Sequence, residues 1–196
     1  TVETSWRRRD AYYAGRWHGK WATELGGPSI SLAIHAHDVL YYVLGPARSV
    51  FARAKTLVNP IETEDTIAAA LEMADGSLAT LAVTTGSSHE ISRHRFCFSN
   101  LSAESNNAPY TSMGNPWIFT GDSPELQAQI DAALLGFVPQ REGLAGQFER
   151  YARALQNGAE LPVTLQDARN AIELVTAVYA SARENRSVDL PISRDD

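Results

Sequence analysis

The Asp75-Gly76 pair constrains the fold of this 196-residue chain more than any other feature. Such a pair between two patterned segments is a strong signal for a tight β-hairpin. The flanks, "TEDTIAAALEMADG" and "SLATLAVTTGSS", have strand character, so residues 63–76 and 77–88 are expected to pair antiparallel. Residues 1–9, 48–58 and 90–99 carry similar patterns, and "PWIFTG" is a shorter candidate strand. Helical patterns follow at about 124–135, at about 142–157 and after Thr164, where Thr164 and Asp167 have the spacing of a capping box. Ile172, Val175, Tyr179 and Ala182 fall on one face of that last helix. "SVDLPI" closes the chain as a short extended piece. Successive strands followed by successive helices predict an α+β fold rather than a βαβ wind.

The length suits a single domain covering residues 1–196. A hydrophobic content of 44% against 20% charged residues predicts a folded core. The net charge of -6 argues against nucleic acid as a partner, because phosphate binding needs a basic surface. The one basic run, Arg7-Arg8-Arg9, reads as a solvated strand end. Cys97 is the lone cysteine, which excludes an intrachain disulfide, offers no zinc pair and fits a reducing, cytoplasmic setting. No run approaches a membrane span and no secretory leader is visible. The chain opens without methionine on a segment already patterned as a strand, so a preceding domain is expected in the full-length protein.

Residues 10–27 form a loop rich in aromatics and glycine, and residues 28–44 read as one helix closed by Gly45-Pro46. At 100° per residue, Ser31, His35, Asp38 and Tyr42 share a narrow polar stripe on an otherwise apolar helix. A histidine can exchange a proton near neutrality, so His35 is the candidate acid/base, with Asp38 placed to orient it. A buried structural histidine is the other reading of His35, and composition does not decide between them. His37 lies off the stripe and is expected to pack. Ser31, His35 and Asp38 have the residue types of a nucleophilic triad but lack a nucleophile turn. His35 and His37, two apart on a helix, point away from each other and make a poor metal pair; no metal is expected. His89, Arg93 and His94 read as strand surface.

The string "WHGKWATELGG", His35 eight residues after it, "HAHD", Gly45, "TEDTIAAALEMADGSLATL" and "LPVTLQDARNAIELVTAVYASARENRSVDLP" occur in that order. Together they resemble the C-terminal domain of the Gfo/Idh/MocA oxidoreductases. The resemblance implies a two-domain enzyme using NAD or NADP on a sugar, inositol or related polyol. It implies a missing N-terminal Rossmann domain that holds the cofactor. For this chain it implies an open, mainly antiparallel sheet with helices on one face, similar to the dihydrodipicolinate reductase-like domain. That domain supplies substrate contacts and a homodimer or homotetramer interface through the sheet.

The family helix motif Asp-x-Gly-x-His is matched at His35, the implied acid/base. Ser31 stands at the aspartate position and Ala33 at the glycine position. Ser31 is the implied substrate contact on the helix, with Asp38 and Tyr42 as supporting residues. The loop segment W-R-G-x-W is matched by Trp17, His18, Gly19 and Trp21. It makes Tyr13, Arg16, Trp17, His18 and Lys20 candidate substrate contacts. The chain has no Glu-Lys-Pro lysine and no G-x-G-x-x-G fingerprint, so no residue is assigned to the cofactor and the isolated chain is expected to be inactive. The alternative is a non-enzymatic binding or assembly module of the same fold that has lost the aspartate at position 31. A lyase or hydrolase is a third expectation.

Overall fold

The computed structural model describes residues 1–114 and 116–193. Strand β1 (Val2–Arg7) is followed by the one-turn helices α1 (Asp10–Tyr13), α2 (Trp21–Glu24) and α3 (Pro28–Ser31), and then by α4 (Ile34–Leu44). Six strands come next: β2 (Ala47–Lys55), β3 (Thr66–Met73), β4 (Leu78–Thr84), β5 (Gly86–Cys97), β6 (Leu101–Glu104) and β7 (Ile118–Gly121). Helices α5 (Pro124–Leu135), α6 (Gly143–Asn157) and α7 (Leu165–Glu184) precede the short closing strand β8 (Val188–Asp189).

All eight strands share one open sheet in the order β7-β6-β5-β1-β4-β3-β2-β8. Every neighbouring pair is antiparallel except β1 with β4. The β3–β4 hairpin forms as the sequence predicts. The Met73 carbonyl accepts from the Gly76 amide, Gly76 takes a left-handed φ of 87°, and the Asp75 carboxylate accepts from the Ser77 amide and hydroxyl. This is the three-residue form of the turn, in which glycine alone adopts the last position without cost. It sets Glu72 opposite Leu78 and so the register of the whole pair.

Alternation then sorts the strands. Val2, Thr4 and Trp6 of β1, Ile67 to Met73 at every second position of β3, and Ala79, Leu81 and Val83 of β4 face α4 and α7 and are buried. Helix α7 closes this layer through Ala171, Leu174, Val175, Ala177, Val178 and Ser181, each large apolar one stabilising by about 1.5–3 kcal/mol. The expected apolar face holds at Val175, but Ile172 is exposed because the buried stripe centres on Leu174 and Val178. The Thr164–Asp167 capping box is present, with both reciprocal backbone hydrogen bonds. Among the described residues, no helix covers the opposite face at the β2–β3–β4 strands. Phe51, Ala68, Ala70, Leu78, Thr80 and Ala82 all stand exposed there.

The predicted helix over 28–44 is a correction. It is broken at Leu32-Ala33 into α3 and α4, because Leu32 leaves helical geometry at φ −128° and Ala33 is fully buried. Among the described residues, no helix is long and apolar enough to cross a membrane.

Candidate functional site

Helix α4 runs across the middle of the sheet, and its first turn overhangs a cleft of about 200 Å³. Thr4 and Trp6 of β1 and Ser92 and His94 of β5 line its floor. They do so because the register pairs Val2 with His94 and Thr4 with Ser92, turning all of these side chains toward the helix layer. His35 and Leu32 line one side, and Tyr110 and Met113 the other. The Trp6 indole N–H donates to the Ser92 hydroxyl at 3.0 Å, and its ring packs on Tyr110 at 4.2 Å between centroids.

Arg8 backs this wall. Its guanidinium lies 5.1–5.5 Å from the rings of Trp6, Tyr12 and Tyr110, within cation–π range, and donates to the Tyr110 hydroxyl at 2.7 Å. It is 3.6 Å from Glu90. The reading of the arginine run as solvated therefore fails at Arg8, whose side chain is only 12% exposed. Its aromatic cage comes from residue 6, residue 12 and residue 110, a convergence invisible in the run itself.

The aromatic loop joins the cleft indirectly. His18 stacks on Tyr12 at 4.0 Å and lies against Trp17 at 3.6 Å, so an unbroken series of rings and Arg8 connects it to Trp6. Tyr13 is turned away and its hydroxyl meets Thr85 at 3.1 Å. Trp21 staples the loop down, its indole donating to the Glu62 carbonyl and its ring meeting Tyr179 edge-on. Arg16, Trp17 and Lys20 are exposed.

Of the helix stripe, His35, Asp38 and Tyr42 do share the exposed side of α4, but only His35 opens onto the cleft. Partial burial and the Asp167 charge push the Asp38 carboxyl up, while His35 pulls it down; no hydrogen bond joins the two side chains. Ser31 lies on α3, where its hydroxyl donates to the Gly27 carbonyl at 3.0 Å. A larger cavity of about 600 Å³, bordered by Tyr41, Arg169 and Glu173, lies beyond the other end of α4 and contains none of the predicted site residues.

Sequence reasoning missed the residue that fixes this geometry. Glu64 is buried and its carboxylate accepts from the Gly27 amide at 2.8 Å, the Ser29 amide at 3.3 Å and the Tyr179 hydroxyl at 2.9 Å. Burial pushes this carboxyl up and those three donors pull it back. Gly27 has to be glycine here, since a Cβ would sit 2.0 Å from the Glu64 carbonyl oxygen. Next to it, Asp65 accepts from the amides of Leu57, Val58 and Asn59, and these bonds hold its carboxyl below the usual range despite the opposing effect of burial.

Two buried imidazoles lie beneath α4. His37 is 1% exposed, as its off-stripe position implies, and His94 is 2% exposed, a correction to its reading as strand surface. The alternation of Ser92, His94 and Phe96 against Arg93 and Arg95 was the available signal. Among the described residues the His37 ring has no hydrogen-bond partner, and the His94 ring has only the Ala36 carbonyl, at a poor hydrogen-bond geometry. Burial holds His37 at about 4 with help from His94, and burial likewise lowers His94, with the nearby Ala36 carbonyl pulling the other way. Between pH 6.5 and 4 the unfolded chain therefore binds more protons than the folded one, so stability is complete above pH 6.5 and falls as acid is added. His37 alone accounts for on the order of 3 kcal/mol of that loss. His37→Leu should flatten this part of a urea-midpoint-against-pH curve without lowering the midpoint at pH 7, since it exchanges an unpartnered polar group for an apolar one. An unchanged curve would place the acid sensitivity elsewhere.

Fold and site together define a two-layer α+β domain with a histidine-bearing cleft at the edge of its helix layer. Residues 1–100, about half of the chain, match the family model for the GFO/IDH/MocA C-terminal domain. The chain belongs to the Gfo/Idh/MocA family, as a C-terminal domain of it. No curated protein sequence matches it. Among solved structures, it is similar to the WlbA dehydrogenase from Bordetella pertussis in complex with NADH and UDP-GlcNAcA. That match has a TM-score of 0.79 and 26% identity and covers 98% of this chain and 55% of the other. An aldose-aldose oxidoreductase from Caulobacter crescentus, complexed with glycerol, matches at 0.77 and 20% over 96% of this chain and 54% of its own. A levoglucosan dehydrogenase in complex with NADH matches at 0.72 and 14% over 98% of this chain and 58% of its own. The last two show the fold alone. The chain spans about half the length of the solved structures it matches.

Proposed function

We propose that residues 1–196 form the single substrate-binding and oligomerisation domain of a NAD- or NADP-dependent oxidoreductase acting on a sugar, inositol or related polyol. The observation that carries this reading is His35 opening onto a cleft with serine and threonine on its floor and aromatic rings on its wall. Hydroxyl-bearing floors donate to and accept from a polyol, and aromatic faces pack on the apolar face of a sugar ring. His35 takes the proton of the hydroxyl being oxidised. Ser31 remains a candidate contact once its bond to Gly27 exchanges; Arg16, Trp17, His18 and Lys20 are proposed to reach the substrate from the aromatic loop, and Tyr13 would have to turn from Thr85 to do so. Asp38 and Tyr42 support the helix side.

The cleft is smaller than the roughly 300–1,000 Å³ of an enclosed small-molecule site, which suits one closed by a further domain. The chain's own residues do not fit a dinucleotide. Among the described residues no strand leads through a G-x-G-x-x-G turn into a helix, so the nicotinamide, which supplies the hydride acceptor, is assigned to the Rossmann domain of the full-length protein. Exposed, unpaired Cys97 suits a cytoplasmic enzyme. The test is a screen of the full-length protein on polyols, sugar acids and a nucleotide-linked sugar acid with each cofactor, read by nicotinamide absorbance. Silence across the panel would favour the non-enzymatic module, which the engagement of Ser31 with a backbone carbonyl also suits.

The helix-free sheet face is the proposed oligomer interface. Its centre, Ala68, Ala70 and Ala82, is flat enough for a second sheet to lie against it. Ala70→Glu should shift the full-length protein from dimer or tetramer to monomer in light scattering. A wild-type protein that is already monomeric would contradict the interface.

A further inference from the structure

We propose that α6 carries a docking stripe for the N-terminal domain of the full-length protein, with Phe148 and Tyr151 at its centre. This rests on the reading of the chain as one domain of a two-domain protein, and not on the reaction that protein performs. Leu144, Phe148, Tyr151 and Leu155 follow one another at steps of four, three and four, so they stand in one line along the helix. In a globular domain such a line faces the core. Here it faces outward, and the four side chains belong to residues that are 44–71% exposed. Gly146 and Ala154 alone are buried among the fifteen residues of α6, and none of the twelve residues of α5 is buried. Leu135, Phe137 and Val138 carry the exposed apolar surface on through the connecting segment. A helix of this length is marginal in water without a packed face, and a contiguous apolar surface marks a place where another surface sits.

The route of the chain puts the stripe on the side of the cleft. Helix α5 packs on β7, at one edge of the sheet, and α7 packs on β2, near the other. The first turn of α7 lies close enough to α4 for the Asp167 charge to act on Asp38. Seven residues separate the end of α6 from the start of α7, so α6 returns to the helix layer, where the His35 cleft opens. The sheet face proposed for a second copy lies on the other side. This chain spans about half the length of the solved structures it matches, and what lies outside the match in them is enough polypeptide for a second domain. A domain seated over the cleft reaches α6 as well. The stripe itself is uncharged, while Glu149 and Arg153 pair at 2.8 Å beside it, the apolar centre and polar rim of a protein–protein contact.

The test is hydroxyl-radical labelling of the full-length protein, read by mass spectrometry at Phe148, Tyr151 and Leu155. Wild type and the Ala70→Glu monomer are compared, each against the same protein in urea. Labelling of the three residues should fall by about tenfold or more in both native proteins, the mark of side chains packed as densely as an interior. Protection that disappears in the monomer gives the stripe to a second copy and overturns the proposal, as does free labelling in both. A paired variant, Phe148→Ser with Leu155→Ser, decides the point whatever the oligomeric state. Both positions are exposed within this domain, so its own fold should persist. Calorimetry should then resolve two transitions where wild type melts in one, because the domains no longer support each other. A single melt at the wild-type temperature overturns the assignment. Neither readout needs turnover, so a protein silent on every sugar and polyol would leave this result standing or falling by itself.

Discussion

Replacing His35 with alanine in the full-length protein is expected to lower turnover at least ~100-fold, the usual contribution of a positioned acid or base. The prediction is sharp because the side chain is exposed, lines the cleft and takes no part in the core. Its removal should therefore leave thermal stability nearly unchanged, within the roughly ±0.5 kcal/mol typical of surface substitutions. Chemistry and folding are thus separable at this position. Steady-state kinetics with the nicotinamide readout, beside a thermal melt, gives both numbers. An unaltered kcat would take His35 out of the mechanism, whereas a collapse of the melting temperature would return it to the structural role that composition also allowed.

The largest effect on stability is expected at Glu64. Glu64→Ala leaves the Gly27 amide, the Ser29 amide and the Tyr179 hydroxyl without their acceptor in a buried setting. Each unpaired group costs about 1–3 kcal/mol, so about 3 kcal/mol or more should be lost from a total that is rarely above about 15. Burial opposes ionisation of this carboxyl, so the intact arrangement contributes less than the loss on breaking it. The damage should reach the aromatic loop, because Trp21 lies edge-on to Tyr179. A fall in the urea midpoint accompanied by a change in tryptophan emission is the expected signature. A loss below about 1 kcal/mol would show that the loop and α3 hold their places by packing alone.

Features set by neighbours in sequence were legible. Asp75-Gly76 announced the hairpin and Thr164 with Asp167 the start of α7, since turns and caps are made from residues a few positions apart. Helical spacing separated exposed His35 from buried His37. The resemblance to the family supplied the open sheet and the helix layer. What the chain did not disclose depends on distant partners. Leu32 breaks the helix where Ala33 is pressed into the core, and the motif serine is thereby parted from the stripe it was grouped with. His94 and Arg8 acquire their settings only when β1, β5 and the segment around Tyr110 converge.

The place of β1 has a consequence for how the protein is made. Within this domain β1 precedes the other strands yet lies in the interior of the sheet, between β4 and β5, and its partners are Leu81 to Thr84 on one side and Gly86 to His94 on the other. Until β4 has left the ribosome β1 has nowhere to pair, and until β5 follows it can pair on one side only, against the edge of the β2–β3–β4 meander. Docking of β5 on β1 is then the step that joins the two halves of the sheet and completes the floor beneath His35. Pairings of such long sequence separation form slowly and leave strand edges bare in the meantime. A nascent chain stalled before β5 should be a good chaperone client, and one released past it should not.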